Sequence, residues 1–193
     1  MDASDTPQEN AQKEKAPFVK EAVKFALLAL LIVAPIRAYV ASPFLVNGAS
    51  MSPTFENGEY LIVDEISYRF EKPRRGDVIV FRYPREPKLF FIKRVIGLPG
   101  ERIAIRGGIV TVYNADNPDG LPLYEPYISF RGYGNLDVIL EDDEYFVMGD
   151  NRAASADSRL WGPLEEEFIT GRALVRLFPL SKMDVFPGRA SYQ

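Results

Sequence analysis

The apolar positions along the chain follow two unlike patterns. From Phe25 to Ile36 every residue is apolar or proline, and beyond Arg37 the run resumes through Ala41. Counted from Ala22, about 20 residues rising ~1.5 Å each give a helix of ~30 Å, the thickness of a bilayer's hydrocarbon core. Lys24 and Arg37 lie near its ends, where long cationic side chains snorkel to the interfaces. Past Ala41 the pattern becomes short alternating or β-branched runs separated by Gly, Pro, Asn and Asp, which predict strands over 60–64, 77–82, 90–96, 102–106, 109–114, 145–148 and 173–178. Gly107-Gly108 between two of these runs predicts a two-residue hairpin turn with positive φ. The stretch 114–135 holds Asn117-Pro118-Asp119-Gly120 and Gly132-Tyr133-Gly134 and reads as a long surface excursion. No helical period of any length follows Ala41, and 165–169 allows a turn or two.

The expected organisation is therefore a polar, disordered tail over 1–21, an anchor helix over 22–41 and one antiparallel, β-rich domain over 42–193. A secretory signal removed after export needs small residues at the first and third positions before the cut. A cut after Ala41 puts Tyr39 at the third position, and a cut after Ser42 puts Pro43 next in line. A retained anchor is the reading taken, with a buried core helix as the alternative. Lys13, Lys15, Lys20 and Lys24 precede the segment, and after Arg37 no Lys or Arg occurs until Arg69. That asymmetry places the N-terminus in the cytoplasm and the β-rich domain outside.

Composition narrows the chemistry. The 193 residues carry 23 Lys and Arg against 27 Asp and Glu, a formal charge of −4, which argues against a general nucleic-acid binder. There is no Cys and no His. Thiolate and imidazole ligands, a cysteine nucleophile and disulfides are excluded, so acid/base work falls to Asp, Glu, Lys, Tyr or a terminal amine. The acidic residues show no cation-loop spacing, and neither a metal nor another cofactor is expected.

Three segments carry candidate chemistry. In a strand over 90–96, Phe91, Lys93 and Val95 share one face while Ile92, Arg94 and Ile96 share the other. Lys93 thus points with two apolar side chains, and burial there lowers an amine's pKa from ~10.4. Alone, an edge-strand lysine that guards against aggregation fits as well. Around Ser50, the residues Gly48-Ala49-Ser50-Met51-Ser52-Pro53-Thr54 are small enough for a substrate backbone to come close and for backbone N–H groups to face an oxyanion. Without histidine, an activating partner for Ser50 must be a lysine or a carboxylate; a plain turn is the bland alternative. The third segment, Gly149 to Pro163, is dense in small hydrogen-bonding side chains, with Asp157 and Arg159 spaced to brace it.

These blocks, in this order and behind this anchor, resemble bacterial type I signal peptidase, the Ser-Lys leader peptidase family. The resemblance rests on Arg37-Ala38-Tyr39 leading to Pro43-Phe44, the Ser50-Met51-Ser52-Pro53-Thr54 block, Tyr60-Leu61-Ile62-Val63, Arg75-Gly76-Asp77-Val78, Lys93 through Glu101, and Gly149 through Pro163. It implies a mainly β, barrel-like catalytic domain preceded by one transmembrane helix, in a bacterial plasma membrane; an internal photosynthetic membrane fits the same residues. It implies Ser50 as nucleophile and Lys93 as general base, with Ser155 orienting the amine. Asp157 and Arg159 would hold the Ser155 loop, and Asp150 would pair with Arg94. It also implies the Ser50 N–H as one oxyanion donor and Phe44, Val46, Met51, Phe91 and Ile92 as walls of an apolar groove. Where some members carry a serine as second oxyanion donor, this chain has Gly48; a backbone N–H there is a candidate substitute, and the identity of the second donor stays open. Expected partners are the signal peptides of membrane-tethered pre-proteins, cut after small residues at A-x-A-like sites, and the lipid bilayer. Two rivals remain: a silent, membrane-tethered peptide-binding β-module, and a repressor-type self-cleaving Ser-Lys protease, which would carry a DNA-binding domain in place of the span.

Overall fold

The computed structural model describes residues 20–31, 41–132, 134–190 and 192. The chain divides into two units, Met1–Val40 and Ala41–Gln193. In the first, residues 20–31 form a helix (α1) whose Phe25, Leu27, Leu28, Leu30 and Leu31 side chains stand exposed. Most of the expected tail and the second half of the expected anchor lie outside the described residues. Among the described residues, no helix is long and apolar enough to cross a membrane.

The second unit is built from β1 (Ala41–Leu45), β2 (Tyr60–Asp64), β3 (Val78–Tyr83), β4 (Glu86–Gly97), β5 (Arg102–Arg106) and β6 (Ile109–Tyr113). It continues with β7 (Leu121–Pro122), β8 (Asn135–Ile139), β9 (Glu144–Met148), the short helix α2 (Ser158–Trp161), β10 (Leu164–Glu165), β11 (Ile169–Phe178) and β12 (Asp184–Val185). Gly107 and Gly108 take φ of 56° and 79° and join β5 to β6, so Arg106 pairs with Ile109 as the predicted turn requires. An eight-stranded sheet runs β1-β2-β11-β3-β4-β9-β10 with β12 alongside β11, and a four-stranded sheet runs β7-β6-β5-β8. Every pairing is antiparallel.

Two expectations need correction. Among the described residues neither sheet closes on itself: β1 pairs only with β2, and the far end is the two-residue β10, so the barrel-like shape gives way to two open sheets. The excursion over 114–135 is also less superficial than its turn residues imply. It carries β7 onto β6 and buries Leu123 and Glu125.

Alternation along the strands sorts the core into layers. Ile79 and Phe81 of β3, Val95 of β4, and Tyr145 and Val147 of β9 meet Leu164 on one face. On the other face Ile96, Phe146 and Met148 meet Ile103, Ile105, Val110 and Val112 of the smaller sheet. Further along that second face, Val78, Leu61 and Ala173 pack under the β1–β2 connection. Burying all this apolar surface, at ~25 cal/mol per Å², holds the central strands rigid beneath the site.

Candidate active site

Ser50 lies in the long connection between β1 and β2. Its neck is closed by backbone bonds, Val46 N–H to the Glu59 carbonyl and Gly58 N–H to the Val46 carbonyl, each 2.9 Å. Inside the neck Phe55 N–H donates to the Met51 carbonyl at 2.9 Å, and both side chains plug the core against Val46 and Leu61. The apolar plug fixes the loop and leaves Gly48, Ala49 and Ser50 at its rim.

The segment after β9 locks onto this rim. Asn151 N–H donates to the Ser50 carbonyl at 3.0 Å, and Asn151 Nδ2 donates to the Ala49 carbonyl at 3.1 Å. A Cβ at Gly149 would stand 2.4 Å from the Ser50 carbonyl oxygen and 2.3 Å from Ser155 Oγ, so only glycine lets the nucleophile loop and the Ser155 loop close on each other.

Lys93 arrives from β4, on the face shared with Phe91 and Val95. It is 3 % exposed. Its Nζ lies 2.8 Å from Ser50 Oγ, donates to the Ile92 carbonyl at 2.8 Å and sits 5.2 Å from the centre of the Phe91 ring. Burial pushes the ammonium down to about 8, with Asp157 and Asp150 pulling back upward. An amine near that value is neutral often enough at ordinary pH to accept a proton.

Arg94, one residue on, points the other way and is fully buried. Its Nε and Nη2 donate to the two Asp150 oxygens at 2.8 and 2.5 Å, and its Nη1 donates to the Gly76 and Gly188 carbonyls. Its guanidinium also stacks 3.9 Å from the centre of the Tyr127 ring. Burial opposes the charge, but Asp150 outweighs it and holds the guanidinium above its ordinary range. Thr54 Oγ1 donates to the same carboxylate at 2.5 Å and ties the Ser50 loop to this pair. Asp157 is likewise buried. Burial alone would raise its carboxyl, but Arg159 and the Gly149 N–H at 3.0 Å hold it below the usual range. Arg159 grips Asp157 through Nε and Nη2, both at 2.8 Å, and donates to the Arg152 carbonyl at 2.9 Å.

Three expected details differ. Ser155 is buried and its hydroxyl makes no hydrogen bond among the described residues, so it does not bond the lysine amine, whose neighbours are Ser50 and Ile92. The Gly48 N–H is already given to Asn57 Oδ1 at 2.9 Å and is not a free oxyanion donor. The Ser50 and Ala49 N–H groups, by contrast, donate to no protein acceptor among the described residues. Met51 is 1 % exposed and belongs to the core plug rather than to the groove. Phe44, Val46, Phe91 and Ile92 do line a cavity of about 270 Å³ that also touches Ser50 and Lys93. The cavity lies between β1, the end strand of its sheet, and the Phe90–Lys93 stretch of β4, which pairs with β3 on one edge only. Among the described residues no group of carboxylates is gathered to hold a metal ion.

The family model for signal peptidase, peptidase S26, matches residues 19–178. The chain belongs to the signal peptidase family. A probable signal peptidase I-1 of Synechocystis sp. is 41% identical over 173 residues, covering 86% of this chain and 85% of that protein. Signal peptidase I of Leptolyngbya laminosa is 39% identical over 195 residues, covering 96% and 92%. Signal peptidase I of Bacillus caldolyticus is 38% identical over 166 residues, covering 80% and 89%. This signal peptidase is thus a serine peptidase that cleaves signal peptides. Three residues that brace the site carry no local sign in the sequence: Asn57, bonded to Gly48, Tyr127, stacked on Arg94, and Glu125, paired with Arg152, each acting across a separation that no periodicity reports.

Proposed function

We propose that Ser50 is the nucleophile and Lys93 the general base with which this peptidase removes signal peptides from exported pre-proteins, cutting after a small residue. The observation that carries the reading is a buried amine, its pKa brought down to about 8, lying 2.8 Å from a serine hydroxyl at the edge of a small apolar cavity. One Lys93 N–H is held by the Ile92 carbonyl, which leaves the nitrogen lone pair for the Ser50 proton. Ser50 Oγ bonds the scissile carbonyl carbon as that proton moves to Nζ, and the carbonyl π pair becomes an oxyanion facing the Ser50 N–H. Collapse breaks the C–N bond, and the leaving amine takes the proton from Lys93. Water then adds to the acyl carbon, giving its proton to Lys93, and Ser50 Oγ leaves with that proton to restore the dyad.

A pre-protein strand fits between the open edges of β1 and β4, where main-chain hydrogen bonds set its register. The 270 Å³ cavity accommodates small side chains such as alanine. Family members are membrane-associated in bacteria. We read the apolar run over 22–41 as this chain's single span, with the N-terminus cytoplasmic and the catalytic unit outside, which confines enzyme and substrate to one surface and raises their effective concentration.

The test uses the full chain in detergent with one exported pre-protein and mass spectrometry of the new N-terminus. The parent should release a mature protein cut after an A-x-A-like site, and Ser50→Ala should lower the rate by roughly 10⁴-fold or more. Cleavage by Ser50→Ala at the parental rate overturns the assignment.

A further inference from the structure

An oxyanion donor must be aimed before charge develops, because reorienting it during the reaction forfeits its advantage. The Ala49–Ser50 peptide is planar and trans, so the Ser50 N–H points opposite to the Ala49 carbonyl. That carbonyl is fixed by two donors, Asn151 Nδ2 at 3.1 Å and the Ser52 N–H at 3.2 Å. The next carbonyl, that of Ser50, accepts the Asn151 backbone N–H at 3.0 Å. One residue therefore holds two successive carbonyls, the first with its side chain and the second with its backbone. On the preceding side, Asn57 Oδ1 accepts the Gly48 N–H at 2.9 Å across nine positions of sequence. The three residues ending in the nucleophile are bracketed by two carboxamides, and the Ser50 N–H between them is left without a protein acceptor among the described residues.

We propose that Asn151, seconded by Asn57, is a positioning residue for the oxyanion hole. Its carboxamide pins the Ala49 carbonyl and so keeps the Ser50 N–H pointed at the charge that forms on the scissile carbonyl. Neither asparagine touches the reacting atoms; Asn151 acts through the Ala49–Ser50 peptide plane itself, and Asn57 anchors the Asn47–Gly48 peptide that leads into it. The proposal rests on Ser50 being the nucleophile. Replacing Asn151 by alanine removes only the side-chain arm and leaves its backbone bond to Ser50 in place. The effect belongs to the transition state: kcat falls, while substrate binding and the proton affinity of Lys93 stay as they were.

The experiment compares the full-length parent, Asn151→Ala, Asn57→Ala and Ser50→Ala in detergent. It measures kcat and KM on a pre-protein, the pH dependence of kcat/KM, and the affinities of two peptides spanning the cleavage site. One peptide ends in an aldehyde at the position of the scissile carbonyl and bonds Ser50 Oγ, its carbonyl oxygen entering the hole. The other carries a reduced, uncleavable bond and binds without forming an oxyanion. Asn151→Ala should lower kcat about 30- to 100-fold and weaken the aldehyde by a similar factor. KM, the reduced peptide's affinity and the midpoint of the acid limb should all stay within threefold, or 0.3 pH units, of the parent (roughly the precision of such measurements). Asn57→Ala should show the same split, about tenfold in size. The inference is overturned if both variants keep parental kcat and aldehyde affinity, or if the two peptides weaken together, which marks a merely structural role. An active Ser50→Ala overturns the underlying reading instead, so the two failures are told apart within one data set.

Discussion

Lys93 and Arg94 are neighbours in β4, both almost wholly buried, and the two faces of the strand treat their charges in opposite ways. The Arg94 face supplies a two-toothed carboxylate from Asp150, two backbone carbonyls and an aromatic ring, and the charge is held firmly. The Lys93 face supplies one hydroxyl, one carbonyl and the Phe91 ring, with Asp150 and Asp157 acting without direct bonds, and the charge is half released. Burial is common to both. The local inventory of partners decides whether a desolvated cation is retained or given up. One face makes a structural strut, and the other makes a proton acceptor.

The largest break in this comparison comes from giving the Lys93 face an Arg94-like cation. Lys93→Arg keeps the positive charge in a group that stays protonated at any usable pH. Activity on a pre-protein should fall at least about 10⁴-fold, more than about 5 kcal/mol in the barrier at ~1.36 per tenfold. The parent's kcat/KM should rise with pH through a midpoint near 8, and the variant should lack that limb. An active variant would mean that Lys93 serves only as a charge.

Next in size is stripping the Arg94 face of its counter-charge. Asp150→Asn keeps shape and one acceptor but leaves a guanidinium buried without a carboxylate, a change that typically costs about 3–5 kcal/mol of folding stability. Denaturant titration of the full chain measures it. The same substitution removes one of the two carboxylates that raise the Lys93 pKa, so the acid limb of any remaining activity should move below 8. A limb that stays in place would show that the two faces are electrically independent.

How far the sequence carried this picture depends on the range of each determinant. Alternation with period two put Lys93 with Phe91 and Val95 and turned Arg94 away, because β4 keeps its register from Phe90 to Val95; its register shifts fall on either side, between Glu86 and Phe90 and between Val95 and Gly97. The Gly107-Gly108 turn was legible for the same reason, being wholly local. Strands 41–45 and 135–139 were not, since the first follows directly on the apolar run and the second carries its pattern among Gly and Asn. The bracing contacts were hidden too. Gly48 to Asn57, Thr54 to Asp150 and Arg152 to Glu125 join residues 9, 96 and 27 positions apart, which no periodicity reports. Two details differ for separate reasons: the Gly48 N–H is claimed by Asn57, and the buried Ser155 hydroxyl has no hydrogen-bond partner among the described residues.

The smallest effect separates the two faces by thermodynamics alone. A shift of the Lys93 pKa from 10.5 to about 8 is equivalent to about 3 kcal/mol of folding free energy, at ~1.36 per unit. Below pH 8 both the folded and the unfolded chain hold the proton, and the folded one bears the full cost. Between 8 and 10.5 the folded chain has released a proton that the unfolded chain keeps, so stability rises with pH. Above 10.5 neither holds it and the cost is gone. Lys93→Met fills similar space and removes the charge, but it forfeits the bonds to Ser50 and the Ile92 carbonyl, each worth ~1 kcal/mol net. The variant should therefore be more stable than the parent by about 1–2 kcal/mol at pH 7, and should fall to parity or below by pH 10.5. Paired denaturant titrations of the two full-length proteins at each pH cancel every other titrating group. A stability difference that does not change with pH would mean that the Lys93 amine titrates as it does in water, and the contrast with Arg94 would then lie in geometry and not in charge.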